Sequence, residues 1–395
     1  MLTIHFNPLR LCVFAVMLSV ITSAQTLGPS GPGRDAQWMT AAKQAIGTSA
    51  TRTSKVWFTL AEGVLSEVYY PDVTTANVQM LQFIVIDPKT KKVETEKDDA
   101  THKIRILRPD ALAFQQINTA KSRKWTITKT YTIGSYPDTI HIDISFQTNK
   151  KGLKIYVQYD PSLGNSGMYD SGGLRYRSDC SACDLGGHPI LASMDEKTGI
   201  SSKLFFSSEI SEIDSSFAGS DGVIQIRKFG KIVRPSITPG AGNIVQTARI
   251  DQPSRFTAIL VFGRRFDDAE GSMDGISFAS SLAEYEGGWS NYVKTLPQVE
   301  AKYQAQFNMA AMILKALEDK AHPGANIASL SVPWGGGANA NENNVGGYHL
   351  VWSRDIVQSA LGLLASGRKG TARRALIWLA CLQEASGRLP QNSWI

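Results

Sequence analysis

The sequence has little cysteine, and what it has is poorly placed for a metal. Its 395 residues include 4 cysteines, of which Cys180 and Cys183 form the only close pair. A structural zinc site needs a second such pair or two suitably spaced histidines, and His188 alone does not supply them. The pair therefore indicates a local disulfide if the chain is exported, with a redox or metal role as the less favoured alternative.

Concentrated positive charge is also missing. The formal net charge is +6, but the lysines and arginines are scattered in runs no longer than Lys150-Lys151 or Arg264-Arg265. Nucleic-acid-binding proteins gather their basic residues on one helix or stripe. We therefore expect an ordinary solvated surface and no nucleic-acid partner.

Only one long apolar run is present, at the N-terminus. It covers 14 residues, "LCVFAVMLSVITSA" (11–24), follows Arg10 and ends in the small residues Ser23 and Ala24. A bilayer span needs about 20 residues, so the run predicts a signal peptide over residues 1–24. An uncleaved anchor is the alternative. The mature chain is then expected to be secreted or periplasmic and not bound to a membrane.

Several catalytic signatures are absent. The sequence has no G-x-S-x-G elbow and no H-E-x-x-H pair, which argues against the common serine hydrolases and zinc proteases. The glycine-rich stretch 334–347 carries no G-K-[ST] and follows no strand-like run. It predicts a hydrogen-bonding surface loop rather than a phosphate site, and we expect no cofactor.

From about Lys55 to Gly263 apolar residues recur with a period of two. In "TIHIDISFQT" (139–148), Ile140, Ile142 and Ile144 fall on one face, as in a half-buried antiparallel strand. The pattern predicts an all-β region, a large antiparallel β-sandwich assigned to residues 25–275. Further predicted strands lie at 82–87, 124–133, 153–159, 203–208, 222–227 and 255–263.

After Gly263 the period becomes helical. We predict a linker helix within 276–300 and an all-α domain over 301–395, built of stacked hairpins. The run "LIWLACL" (376–382) is apolar enough to need neighbours that these residues do not supply. We therefore expect the chain to be part of a longer protein and poorly soluble alone. The predicted helices span 277–296, 298–321, 354–367 and 370–387.

Tryptophans cluster near the C-terminus beside amide and guanidinium groups. Trp334, Trp352 and Trp394 lie in loops or at helix ends, whereas Trp378 fits a helical core. A sugar stacks its C–H faces on aromatic rings and needs several fixed donors and acceptors for its hydroxyls. The cluster therefore favours a sugar site, although aromatic residues that merely fill a helical core are the simpler alternative.

The adjacent Arg354-Asp355 pair is the most informative charge. Ser353 is a candidate N-cap, which would place Asp355 in the first turn of a helix, where the helix dipole favours a carboxylate. A carboxylate kept charged suits hydrogen bonding to hydroxyls better than proton donation. A simple cap with a surface ion pair is the alternative.

Three segments resemble one family. "GGYHLVWSRD" (346–355) followed by "GRLPQNSW" (387–394) is similar to the substrate-pocket segments of family 15 glycoside hydrolases, the glucoamylases and bacterial glucodextranases. The stretch 56–87 resembles the start of the β-sandwich that precedes the catalytic domain in prokaryotic members. The resemblance implies a β + α multidomain fold, a large antiparallel β-sandwich followed by the first helices of an (α/α)6 barrel.

The resemblance also implies an exo-acting α-glucan hydrolase that releases glucose from non-reducing ends with inversion. It implies an α-glucan or maltooligosaccharide substrate and a monomer when full length. An exported glycosidase of this kind is compatible with a structural calcium ion, but the sequence contains no D-x-[DN]-x-[DN]-G loop to hold it. Residues implied in substrate binding are Tyr348, Trp352, Arg354, Asp355, Trp334, Gln391, Asn392 and Trp394.

The sequence departs from the family pattern at the catalytic acids. Inverting hydrolysis uses two carboxyl groups, and in the family both glutamates follow the P-Q-N-x-W segment. Glu342 and Glu384 match neither motif, so no catalytic residue is assigned within residues 1–395. We expect the acids beyond residue 395. The alternatives are a non-catalytic secreted carbohydrate-binding protein, or a trehalase-like hydrolase or disaccharide phosphorylase relative.

Overall fold

Two large antiparallel sheets make up most of the molecule. The computed structural model describes residues 31–134, 136, 138–176, 189–236, 239–251, 253–264, 277–332 and 347–395. The strands of the first sheet are β1 (Ala45–Thr48), β2 (Trp57–Ala61), β3 (Val64–Tyr69), β4 (Ala76–Asn77), β5 (Met80–Asp87), β6 (Lys92–Thr95), β11 (Lys154–Asp160), β15 (Ile210–Phe217) and β16 (Ile244–Ile250).

The second sheet lies against the first. Its strands are β7 (Ala100–Ile106), β8 (Phe114–Ala120), β9 (Trp125–Ile133), β10 (Thr139–Thr148), β12 (Asp170–Tyr176), β13 (Pro189–Asp195), β14 (Ile200–Phe206) and β17 (Arg255–Arg264).

The strand orders show how the chain alternates between the sheets. The first sheet runs β1-β2-β3-β5-β11-β16-β15, with β4 beside β3 and β6 beside β5, and the second runs β12-β13-β14-β17-β10-β9-β8-β7. Ile140, Ile142 and Ile144 of β10 are completely buried in the core between the sheets, as their period of two predicts. The expectation of a large antiparallel β-sandwich is confirmed.

One predicted strand is wrong. Residues 222–227 lie in a helix, α2 (Gly222–Phe229), rather than in a strand. The Asp221 side chain accepts hydrogen bonds from the backbone N–H groups of Val223 and Ile224, and Gly230 ends the helix in the left-handed region at φ 78°. The capping residues therefore favour a helix, because the segment is too short for its apolar periodicity to distinguish a helix from a strand.

One short helix, α1 (Glu96–Asp99), lies within the sandwich, between β6 and β7. Four helices follow the sandwich: α3 (Phe278–Val293), α4 (Ala301–Ala316), α5 (Ser353–Ala365) and α6 (Lys369–Cys381). These four match the predicted helices, although α4 and α6 end several residues early. None of the helices in the described ranges is long and apolar enough to cross a membrane.

Helix α3 packs against β9 and β10 of the second sheet, and α4 packs against β1 of the first. The Trp289 indole of α3 donates to the Thr48 carbonyl at 2.9 Å, and the Trp57 indole of β2 donates to the Ala316 carbonyl at 2.8 Å. A second apolar cluster joins Trp57 and Tyr69 of the sandwich to buried residues of α5 and α6. The candidate site therefore rests on a helical layer that the sandwich supports.

Some predictions fall outside the described residues. These are the signal peptide over 1–24, the Cys180–Cys183 pair, Trp334 and Glu342. The predicted boundary near residue 275 also lies in such a range, between β17 and α3. The proposed domain limits of 25–275, 276–300 and 301–395 therefore stay predictions.

Candidate functional site

A short two-stranded ladder joins the two segments that the sequence singles out. Val351–Trp352 (β18) pairs antiparallel with Asn392–Ser393 (β19), so that Trp352 stands opposite Asn392. The amide of Ser353 also donates to the Gln391 carbonyl at 3.1 Å. The start of α5 and the loop that follows α6 therefore form one surface, although the helical hairpin separates them in sequence.

The expected role of Ser353 as N-cap is wrong. Helix α5 is preceded by Trp352, which makes no side-chain capping hydrogen bond, and Ser353 is the first helical residue. Its hydroxyl donates to the Pro390 carbonyl in the loop that follows α6. Asp355 still lies in the first turn, as predicted.

The exposed rim of this surface carries the charged pair. The Arg354 side chain is 86% exposed and that of Asp355 41%, with 4.0 Å between Arg354 Nε and Asp355 Oδ2. An exposed pair at that distance contributes little stability, so both groups are available to a ligand. Gln391 is exposed, Asn392 is half-buried and Trp394 is 57% exposed, so the segment that pairs with the start of α5 also presents an aromatic ring and two amides.

The other two aromatic residues lie deeper. Trp352 is only 8% exposed, and its indole N–H donates to the Gly347 carbonyl at 3.1 Å. Tyr348 is half-buried, and its backbone carbonyl accepts from the Ser329 amide at 2.9 Å. Trp352 thus stabilises the loop that begins at Gly347 from its buried side, whereas Arg354, Asp355 and Trp394 face solvent.

Sequence reasoning missed His349. Its ring is 3% exposed and lies between Tyr69 of β3, at a centroid distance of 6.1 Å, and Trp394, at 5.5 Å. Burial lowers its pKa to about 4, so the imidazole is neutral at physiological pH. Nothing local marks a lone histidine of this kind. Only the fold shows that a sandwich tyrosine reaches it.

Nearby carboxylates have structural partners. Glu318 accepts a bidentate pair of hydrogen bonds from Arg374, at 2.9 and 3.1 Å from Nη2 to the two oxygens, and Asp319 accepts from the Val73 amide at 3.1 Å. The exposed Glu384 lies 3.5 Å from Arg388. None of these acids stands as a second carboxylate beside Asp355 on the exposed rim.

No cluster for a metal emerges from the described residues. Among them, no group of three or more His, Cys, Asp or Glu side chains could hold an ion. The structure therefore offers no location for the calcium ion that the sequence left open, within the ranges it describes.

Family models match both parts of the chain. Residues 28–294 match the model described as "Glucodextranase, domain N", and residues 301–385 match "Glycosyl hydrolases family 15". The boundary between the two matches falls between the end of α3 and the start of α4. The sandwich together with its helix α3 is therefore one recognised unit, and the remaining helices begin another.

Two relatives give the same assignment. The chain is 34% identical over 378 residues to a glucoamylase from Clostridium sp. (strain G0005), covering 93% of this chain and 51% of the relative. It is also similar to a crystal structure of a bacterial glucoamylase complexed with acarbose, at 32% identity and a TM-score of 0.83, covering 92% of this chain and 53% of that one. The chain thus spans about half the length of these relatives.

The fold is that of the bacterial glucoamylase structure, in which a large antiparallel β-sandwich precedes a helical segment. More narrowly, the chain belongs to glycoside hydrolase family 15, in its branch with a glucodextranase-type N domain.

Proposed function

We propose that this chain carries part of the glucose-binding site of an exo-acting α-glucan hydrolase that releases glucose from non-reducing ends with inversion. The observation that carries the proposal is the ladder between β18 and β19, which sets Arg354 and Asp355 beside Gln391, Asn392 and Trp394. The glucoamylase relatives support an α-glucan as the substrate class.

The chemistry of the rim suits the terminal sugar. The exposed guanidinium of Arg354 can donate several hydrogen bonds in a fixed plane to sugar hydroxyls, and the carboxylate of Asp355 can accept hydrogen bonds from them. The Trp394 ring is exposed enough to receive a pyranose face, and the amides of Gln391 and Asn392 can both donate and accept. Together these groups match a ring of neighbouring hydroxyls.

The proposal separates binding from bond cleavage. Inversion needs a carboxylic acid and a carboxylate about 6.5–9.5 Å apart, and among the described residues of the rim Asp355, paired with Arg354, has no second carboxylate beside it. We therefore assign the general acid and base to residues outside 1–395, in the half of the relatives' length that this chain does not span. The 395-residue chain should bind without hydrolysing.

We also propose that the protein is exported. The apolar run over residues 11–24 supports a cleaved signal peptide and a secreted or periplasmic protein. We also propose that the full-length protein is a monomer.

Acarbose titration followed by calorimetry tests the binding site. The Arg354→Ala variant should bind at least about tenfold more weakly than the unmodified chain, because it loses charge-assisted hydrogen bonds. Arg373→Ala is the matched control, since Arg373 is exposed on α6 away from the ladder. Equal affinities for the two variants would contradict the assignment.

A glucose-release assay on maltooligosaccharides tests the separation of roles. The 395-residue chain should release no glucose, whereas a longer product of the same gene should. Release by the shorter chain would contradict the placement of the catalytic acids. Acarbose binding without release by the longer product would favour a non-catalytic carbohydrate-binding protein.

A further inference from the structure

Three aromatic rings connect the β-sandwich to the exposed rim. Tyr69, at the end of β3, is completely buried, and its ring lies 6.1 Å from that of His349 at an interplanar angle of 45°. His349 in turn meets Trp394 edge to face, at 5.5 Å and 79°. The series therefore runs from a fixed core position to a ring that is 57% exposed.

The sandwich end of this series is rigid. Tyr69 is paired with Trp57 of β2 on one side and with Ala76 of β4 on the other. Side chains held between two strand neighbours in a close-packed core have little freedom to move. Tyr69 therefore gives His349 a fixed surface.

The middle of the series is also fixed. A side chain at position 347 would place its Cβ 2.4 Å from His349 Nδ1, so that only glycine allows the backbone to lie this close to the ring. The Ser331 backbone also acts on the ring, although the ring's Nδ1 has no hydrogen-bond partner among the described residues. The imidazole thus has backbone on one side, Tyr69 on another, and Trp394 as its outward neighbour.

Trp394 has much less support of its own. It follows the two-residue strand β19 and leaves more than half of its side chain in solvent. An exposed indole on such a short ladder samples several rotamers unless a neighbour restricts it. His349 is the ring neighbour that the described structure places against it.

We propose that His349 is a positioning residue through which Tyr69 of the β-sandwich fixes the orientation of the Trp394 ring. The inference deepens the proposed function and rests on it, because Trp394 is there a platform for the terminal sugar. The sandwich then contributes to substrate recognition without touching the substrate.

The groups that face His349 make its ionisation a useful probe. The Tyr69 ring lies against it from β3, and the Asp72 carboxylate, in the loop that follows β3, acts to raise its pKa. Burial nevertheless holds its pKa near 4, so the ring becomes charged only in mild acid. A charge appearing at the edge of Trp394 should alter the spectrum of that indole.

Fluorine NMR on the full chain labelled with 5-fluorotryptophan tests the proposal. Trp394→Phe assigns the Trp394 resonance, and the other tryptophan resonances report whether each variant is folded. His349→Ala should move the Trp394 resonance at least halfway towards its denatured position, and His349→Phe should restore it. Tyr69→Leu should move it as His349→Ala does, whereas Tyr69→Phe, which keeps the ring, should not.

Acid titration adds a signature that packing alone does not produce. The Trp394 resonance of the unmodified chain should shift with a midpoint near pH 4, and His349→Phe should abolish that shift while the protein stays folded. An unchanged Trp394 resonance in His349→Ala, or an identical acid shift in His349→Phe, would overturn the proposal. If Tyr69→Leu does not fold, these two histidine variants decide alone.

Acarbose separates this inference from the proposed function. None of the measurements above needs a sugar. Addition of acarbose should then shift the Trp394 resonance and leave that of Trp289, on the far helix α3, unchanged. A Trp394 resonance that responds to His349 but not to acarbose would uphold the coupling between the rings and remove the role of Trp394 in sugar binding.

Discussion

The β-sandwich and the helical segment bury their apolar side chains in different ways. Ile140, Ile142 and Ile144 of the sandwich are fully buried between two sheets. On the helices, Leu363 of α5 is equally buried against the sandwich edge, but Leu361 of the same helix is 56% exposed and Leu376 of α6 is 54% exposed. The sandwich encloses its own core, whereas the helices are covered on one face.

Because of this difference, the stability of the helices depends on the sandwich more than the stability of the sandwich depends on the helices. The inner face of α5 and α6 shares a cluster with Trp57 and Tyr69, so that the helical segment takes part of its core from the sandwich. The core between the sheets includes few helical residues, chiefly Tyr285, Trp289, Met312 and Ala316. Loss of the sandwich should therefore unfold the helices, whereas loss of α5 and α6 should leave the sheets folded.

The largest effect is expected from the buried ion pair of the sandwich. Lys129 and Glu96 are both fully buried, 2.8 Å apart, and Lys129→Ala leaves the Glu96 carboxylate without its cation. The free energy of unfolding should fall by about 3–5 kcal/mol in urea titrations, with both regions lost together.

Lys92→Ala is the control for that variant, because Lys92 pairs with Glu94 at 2.8 Å but is 56% exposed. It should cost less than about 1 kcal/mol. Similar losses in the two variants would show that burial of the Lys129 pair does not matter.

A matched pair on α5 tests the one-sided burial of the helices. Leu363→Ala removes a fully buried side chain and should lower the free energy of unfolding by about 2–4 kcal/mol. Leu361→Ala, two residues away and mostly exposed, should change it by less than about 0.5 kcal/mol. Hydrogen exchange should show the Leu363 variant opening at α5 and α6 while the sheet amides stay protected, and loss of sheet protection would reverse the proposed dependence.

Asp160 of the sandwich and His349 beside the helices should contribute to the pH dependence of stability with opposite signs. Burial raises the pKa of Asp160, the last residue of β11, to about 7, so its protonated form stabilises the sandwich at low pH and that contribution is lost as the pH rises towards 7. The lowered pKa of His349 acts the other way, because the unfolded chain takes up a proton near pH 6.5 and the folded one only near 4. Helical stability should therefore fall as the pH drops between these values.

Denaturation followed separately for each region, at several pH values, measures these slopes. Asp160→Asn should remove a change on the order of 3 kcal/mol from the sandwich between pH 4 and 7 and leave the contribution of His349 unaltered. His349→Phe should do the reverse. A common slope for both regions in every variant would contradict the assignment.

The smallest effect on stability should come from the uncovered helical face. Leu361→Gln combined with Leu376→Gln should leave the melting temperature nearly unchanged, since both side chains already face solvent. The same change should reduce aggregation measured by light scattering, because it interrupts an exposed apolar surface. Unchanged aggregation would mean that this surface does not drive association.

The sequence predicted the sandwich and most helices because their periods of two and 3.6 reflect which face is buried. It failed at 222–227, where Asp221 and Gly230 cap a helix whose few apolar residues fit either period. The rim residues Arg354 and Asp355 were predicted from a local motif, and their role stays a prediction. His349 was not, because its significance comes from Tyr69, which lies far away in sequence and is brought close only by the complete fold.

The ladder between β18 and β19 also bears on the order in which the molecule folds. It closes a loop that contains the whole α5–α6 hairpin. Closing this loop costs conformational entropy, and only the contacts made after closure compensate for that cost. The hairpin forms through local contacts and shortens the path between the ladder strands. We therefore expect Trp352 and Asn392 to meet late in folding, and the exposed rim to be the first part lost when α5 and α6 unfold locally.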